Sequence, residues 1–207
     1  MNPLTSLPLA DLLDRIAAPT PAPAGGAAAA IAGALGASVS AMVASLPHTR
    51  HGTPDERTRL DLAARELAAY RVALARLADE DTAAVQALMS ATRLPRTTAA
   101  EADARRQALA EATREATRVP LETARLCADA LDRSRDVAAM GTRVAVSDVF
   151  VAIGLLKAAA DGAASNVRAN IEGLDDETFV RETTRQLTRT LDAVARAAHA
   201  SMATLQD

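Results

Sequence analysis

One predicted helix, residues 147–171, carries the polar side chains best suited to chemistry on an otherwise apolar face. Asp148 and Asn166 are 18 residues apart, so they lie on one line of the helix about five turns apart, and Asn170 lies close to that line. A buried ionised carboxylate is costly without partners or a raised pKa, and a raised pKa suits proton transfer. The structural alternative is a first-turn acid stabilised by free amides, with both asparagines bonding neighbouring helices.

A second candidate is the proline- and glycine-rich segment at residues 19–26, which reads Pro-Thr-Pro-Ala-Pro-Ala-Gly-Gly. The prolines favour an extended approach, and the glycines permit close backbone contact where a helix begins. Free N–H groups at a helix start bind a carboxylate, a phosphate or a polar ring. Thr20, Pro21, Gly25 and Gly26 are therefore candidate binding residues, and a rigid helix-entry turn is the alternative.

The third candidate is Asp81, which falls on the apolar stripe of a long helix predicted over 54–92. An ion pair with an arginine across the bundle and a role in a site remain equally open for it. His48 and His51 have metal-like spacing, but the surrounding loop offers no evident acidic or thiol companion, so both are predicted to be surface residues. We expect no metal site, and Cys127 is predicted to be a buried, inert thiol.

The elements that position these residues are all helices. Short connections between long amphipathic stretches predict an antiparallel bundle of five to six helices. A capping-box pattern, Thr98 followed by Glu101, marks the start of the fourth helix. The predicted helices cover residues 9–17, 26–46, 54–92, 98–140 and 147–171, with a sixth after the acidic turn at 175–177.

The second helix lies inside a stretch from Ile16 to Thr49 that contains no charged residue. Alanine, glycine and serine dominate it, and they contribute little transfer energy into a bilayer, so a membrane span is not expected. A helix uncharged on every side is instead predicted to be buried on every side. Its small residues allow close helix packing, and we expect its own bundle and a partner subunit to enclose it in a homodimer.

Composition limits the fold and the partners further. The chain has 207 residues, 1% aromatic residues and a net charge of −3. Scarce aromatic residues and abundant alanine predict one all-α domain over residues 1–207. With no basic field and no stacking platform, nucleic acid is not an expected partner. The N-terminus carries acids rather than a basic leader, so a cytoplasmic location is expected.

Taken in order, these motifs resemble those of the cyclodeaminase/cyclohydrolase family, which includes the C-terminal domain of formiminotransferase-cyclodeaminase and free-standing methenyltetrahydrofolate cyclohydrolases. The resemblance covers nearly the whole chain. It rests on the segment at 19–26, Ala-Gly-Ala-Leu-Gly at 32–36, Asp-Glu-Asp at 79–81, Val-Pro-Leu-Glu at 119–122, Ser-Asp-Val at 147–149, Gly162, Asn-Val-Arg at 166–168, Asn170-Ile171 and Leu174.

The resemblance implies an oligomeric enzyme that acts on a tetrahydrofolate carrying a one-carbon unit, with no cofactor beyond that folate. Such an enzyme either closes the formimino form with release of ammonia, or hydrolyses the methenyl form. On this basis Asp148 is the leading acid–base candidate and Asp81 the second. The implied folate contacts are Thr20, Pro21, Gly25, Gly26, Ser147, Asn166, Arg168 and Asn170.

The chain also departs from the family pattern near the implied site, at Ala24, Thr142, Val144 and Phe150. These departures favour an alternative function, a non-catalytic helical oligomer that binds a ligand or a protein.

Overall fold

The structure, a computed structural model, describes residues 3–172 and 174–206. It confirms the all-α class. The six α-helices of the described residues are α1 (Leu9–Ala17), α2 (Gly25–Ala44), α3 (Pro54–Thr92), α4 (Ala99–Met140), α5 (Val146–Ile171) and α6 (Glu177–Gln206), with 3₁₀ turns at Leu4–Ser6 and Arg143–Ala145.

Helix starts follow local sequence chemistry. The predicted capping box at Thr98 and Glu101 is confirmed, and each side chain bonds the other residue's backbone N–H. Thr53 and Glu56 form a second capping box, with Pro54 at the first position of α3. These caps satisfy backbone N–H groups that lack partners inside the helix.

Helices α2 to α5 form an antiparallel four-helix bundle. Beside α2, Gly26 lies against Asp81 and Gly33 against Leu74, so α3 runs antiparallel to it. On the other side of α2, Ala29 contacts Gly162, whereas Gly36 contacts Ala152 and Leu156, which come earlier in α5. Helix α5 therefore also runs antiparallel to α2. Helix α4 runs parallel to α2 across the core, and α6 packs against α4 and α5.

The α2–α5 contact is close because α2 has no side chain where the helices meet. A Cβ atom at Gly36 would lie 2.8 Å from Leu156 Cγ and 3.0 Å from the Ala152 carbonyl oxygen. Real Cβ atoms essentially never come as close as the first of these distances. The predicted close approach of helices at small residues is therefore confirmed at this position.

The bundle leaves one strip of α2 open. Leu35 is 54% exposed and Met42 45% exposed, and Val151 on the adjacent α5 is 54% exposed. We call this the α2–α5 face, and its uncharged, exposed or half-buried members are Ala28, Ile31, Ala32, Leu35, Ser38, Val39, Met42, Val151, Gly154, Leu155 and Ala158. A single chain therefore buries α2 on most sides, and complete burial needs a covering partner.

By length and composition alone, α2 is apolar enough to cross a membrane. More than half of its most apolar stretch is buried inside the bundle.

The close contact predicts opposite effects of two alanine substitutions along the same seam. Gly36→Ala should lower the free energy of unfolding by about 1 kcal/mol or more, because overpacking against backbone costs more than the helix-propensity gain. Gly162→Ala should raise it by about 0.5–1 kcal/mol, because its Cβ would rest 3.5 Å from Ala29 Cβ, an ordinary contact. Urea unfolding measures both, and a stabilised Gly36→Ala variant would contradict the packing described.

Candidate active site

The loop before α2 brings its second glycine against a carboxylate. Thr20, Pro21 and Gly25 are exposed, whereas Gly26 is buried. A Cβ atom at Gly26 would overlap the Asp81 carboxyl group, so only glycine leaves room for that side chain. The sequence predicted a close approach at this loop, and the group that approaches within the chain is Asp81.

Asp81 lies in an unusual electrostatic setting. It is 7% exposed, and within the described residues it makes no ion pair. Burial raises the pKa of Asp81, and a hydrogen bond from the Ala27 backbone N–H opposes that rise. A carboxyl in this setting tends to hold its proton, which is the property a general acid needs.

The two neighbouring acids are engaged otherwise. Asp79 accepts a 2.7 Å hydrogen bond from the Leu4 backbone N–H. Glu80 forms ion pairs with Arg76 and with Arg118, both at 3.0 Å. The ion pair with an arginine that was considered for Asp81 is thus formed by Glu80 instead. The carboxyl of Asp81 remains available for a role in a site.

The candidate asparagines lie toward the same end of α2, because Ala29 packs against Gly162 just before them. Asn166 Nδ2 donates to the Gly162 carbonyl at 2.9 Å, and Asn170 Nδ2 donates to the Ala116 carbonyl on α4 at 2.6 Å. Arg168 is exposed. We call the loop at 19–26, Asp81 and the two asparagines the first cluster.

Asp148 lies at the other end of α2. It is half-exposed in the first turn of α5, whose N-cap is Ala145, and Ser147 beside it is exposed. Gly141, just before α5, packs against Val43, while Gly26 packs against Asp81. From Gly26 to the level of Asp148 is about 14 residues of α2, or about 21 Å of helix. A single chain therefore does not place Asp148 and the loop in one cleft.

The loop after α2 occupies the same end as Asp148. Thr49 pairs with Gly141 in an isolated bridge, and the Arg50 backbone N–H donates to the Met140 carbonyl at 2.7 Å. His48 and His51 are exposed, as predicted. We call this loop, residues 47–53, together with Asp148 the second cluster.

His51 has a partner that sequence reasoning missed. Its Nδ1 lies 2.7 Å from Glu56 Oε1, so the expectation of no acidic companion is wrong. Glu56 is 7% exposed, and its pKa is lowered to about 2, chiefly by the Thr49 hydroxyl and against the effect of burial. The Thr53-x-x-Glu56 capping pattern is the sequence signal for this carboxylate.

Other candidate chemistry is absent or inert. Among residues 3–172 and 174–206, no group of three or more His, Cys, Asp or Glu side chains is placed to hold a metal ion. Cys127 is fully buried, and burial raises the pKa of its thiol to about 12, so the prediction of an inert core thiol is confirmed.

Sequence comparison gives consistent matches. Residues 8–189 match the family described as formiminotransferase-cyclodeaminase. A methenyltetrahydrofolate cyclohydrolase of Methylorubrum extorquens is 35% identical over 84% of this chain and 84% of its own. A formimidoyltransferase-cyclodeaminase of Rattus norvegicus is 32% identical over 85% of this chain, which spans only 32% of that protein.

Structure comparison supports the fold. The crystal structure of a formiminotetrahydrofolate cyclodeaminase from Thermotoga maritima superposes with a TM-score of 0.87, covers 98% of both chains and is 24% identical in sequence.

The setting of Asp81 predicts how stability changes with pH. Because its pKa is raised in the folded state, its stabilising contribution is present below about pH 4 and is lost as pH rises through the folded value. Asp81→Asn should therefore raise Tm relative to the parent at pH 8, by about 2–4 °C for each kcal/mol of burial cost, and by less at pH 4. Calorimetry at both pH values checks this. If Asp81→Asn instead lowers Tm, and does so more at pH 8 than at pH 4, then the ionised carboxylate is stabilised at the start of α2 and the prediction is wrong.

Proposed function

Since the chain belongs to the formiminotransferase-cyclodeaminase family, we propose that it catalyses a one-carbon reaction on tetrahydrofolate. The preferred candidate reaction is hydrolysis of the methenyl form to 10-formyltetrahydrofolate, because the Methylorubrum relative that matches along most of its own length is named for it. The second candidate reaction is cyclisation of the formimino form with loss of ammonia, because the rat relative is named a cyclodeaminase. Both reactions pass through a tetrahedral carbon between N5 and N10.

The observation that carries the proposal is the buried carboxyl of Asp81 beside the start of α2. Hydrolysis requires a proton at N5 as the bond from N5 to the one-carbon unit breaks. Asp81 is suited to donate it because burial raises the pKa of its carboxyl and so favours the protonated form. Exposed Thr20 and Pro21 and the glycine-containing start of α2 are proposed to line the folate, with Asn166, Asn170 and Arg168 as further contacts.

Asp148 and Ser147 are proposed to act from the opposite side of the substrate. The methenyl group is cationic, and the half-exposed carboxylate of Asp148 would attract it and help to hold it. The attacking water must lose a proton to an acceptor, either Asp148 itself or another group in the second cluster.

A homodimer would bring the two clusters together. The α2–α5 face is uncharged, and two helices about 30 Å long and 10 Å apart present on the order of 600 Å². A stable interface buries about 800 Å² per partner, so the face is close to sufficient. We propose that a two-fold axis near Leu35 packs the face on itself with the α2 helices antiparallel. That axis sets the first cluster of one protomer beside the partner's Asp148.

The non-catalytic alternative retains one supporting observation. Val144 is 92% exposed in the turn before α5, which would suit a protein-binding surface. Folate binding without turnover would favour it. A cytoplasmic location, and the absence of nucleic-acid and membrane partners, remain predictions.

The direct experiment follows the absorbance of the methenyl group after the chain is mixed with methenyl- or formiminotetrahydrofolate. We expect the methenyl band to decay faster than in buffer, or to grow from the formimino substrate. No turnover of either folate would reject the enzymatic function.

The dimer proposal predicts that one charge on the α2–α5 face removes both assembly and activity. Leu35→Glu should give a particle of the 21.4 kDa chain mass and should abolish turnover, because a buried unpaired carboxylate is not tolerated in an apolar interface. Val72→Glu is the control, since Val72 is 61% exposed on α3, outside the face. Light scattering with the turnover assay decides, and a Leu35→Glu chain that keeps parental size and rate would refute the interface.

A further inference from the structure

The loop at 47–53 is organised around a single buried carboxylate. Glu56 Oε2 accepts hydrogen bonds from the Thr49 hydroxyl at 2.7 Å, from the His51 backbone N–H at 3.0 Å and from the Thr53 backbone N–H at 3.3 Å. A capping box requires only the last of these. The other bonds bend the loop back over Glu56.

Gly52 makes that bend possible. Its φ of +73° lies in the left-handed region, where a side chain is strained, and it is the single positive φ among the described residues. The Gly52 backbone N–H also donates to Thr49 Oγ1 at 3.0 Å. The turn therefore brings the backbone and the ring of His51 to the same carboxylate.

The result is an imidazole that is held firmly but remains accessible. Nδ1 of His51 contacts Glu56 Oε1, so Nε2 points away from the carboxylate, and 66% of the side chain is exposed. An imidazole oriented through one nitrogen by a carboxylate is the arrangement by which proteins fix a tautomer for proton transfer.

The surroundings fix this loop in place. Arg50 Nη2 donates to the Ala138 carbonyl at 3.0 Å, and Arg57 Nη1 donates to the Leu46 carbonyl at 2.6 Å. The Arg50 bond ties the loop to the end of α4, next to the turn that leads to Asp148, and the Arg57 bond holds α3 against the segment that follows α2. Both arginines are thereby engaged with backbone, and His51 offers the ionisable nitrogen of this loop that is both oriented and exposed.

We propose that His51, oriented by Glu56, accepts the proton of the attacking water, in a site completed by the first cluster of the partner subunit. This inference rests on the proposed function. As the water oxygen bonds to the methenyl carbon, its proton passes to His51 Nε2 and the electron pair of the C=N⁺ bond moves to nitrogen. Asp81 then donates a proton to N5, the bond from N5 to carbon breaks, and the hydroxyl group becomes the formyl carbonyl as its proton passes to solvent. Once His51 has released its proton and Asp81 has regained one, one water has been consumed and one proton released overall.

The test compares His51→Ala with His199→Ala, the loss of an exposed imidazole on α6 that belongs to neither cluster. We expect His51→Ala to lower kcat about 10²–10⁴-fold with little change in KM, and added imidazole to restore part of kcat. His199→Ala should keep parental kcat and gain nothing from imidazole. His51→Gln serves as a second variant if the alanine variant folds poorly.

Two outcomes distinguish a failure of the role proposed for His51 from a failure of the proposed enzymatic function. If the parent turns over folate and His51→Ala does so equally well, or loses activity without imidazole rescue, the role of His51 is rejected while the function stands. If the parent turns over neither folate, both are rejected.

Discussion

The structure depends on the burial of α2, a helix without charge that packs closely against its own bundle on most sides and leaves one strip exposed. Gly33 and Gly36 leave no side chain where α5 and the core reach α2, and Ser40 meets Ser134 through hydroxyl groups 2.8 Å apart. Packing of this kind fixes the register of α3, α4 and α5 against α2. That register in turn decides which polar residues share a level, so the positions of both clusters follow from one helix.

Much of this architecture could be predicted from sequence because its signals are local. The ends of α1, α3 and α4 coincide with prolines, capping boxes or a glycine, and the prediction places them within one or two residues of the structure. What sequence reasoning could not supply is the register between helices. A helical wheel places Asp148 and Asn166 on one line, but it does not reveal that Asp81 meets the start of α2 while Asp148 lies some 21 Å away.

The same limit applies to the electrostatics of the candidate site. The sequence favoured Asp148 as the carboxyl most affected by burial, whereas Asp81 is the one buried without an ion pair. Glu56 was overlooked because its partners come from a loop whose conformation depends on Gly52. Aromatic residues are scarce, so any pterin ring bound here would lie mainly on backbone, proline and alanine surfaces, which gives the shape of the closely packed helices a direct role in recognition.

The central claim is that one site is assembled from both ends of α2 in two different subunits. Subunit exchange between Asp81→Asn and Asp148→Asn homodimers tests it most directly, with turnover of methenyltetrahydrofolate as the readout. If each site joins Asp81 of one protomer to Asp148 of its partner, half of the exchanged dimers regain one intact site. The exchanged mixture should then show about a quarter of parental activity, although each homodimer alone is nearly inactive. Mixtures that remain inactive after complete exchange would contradict it.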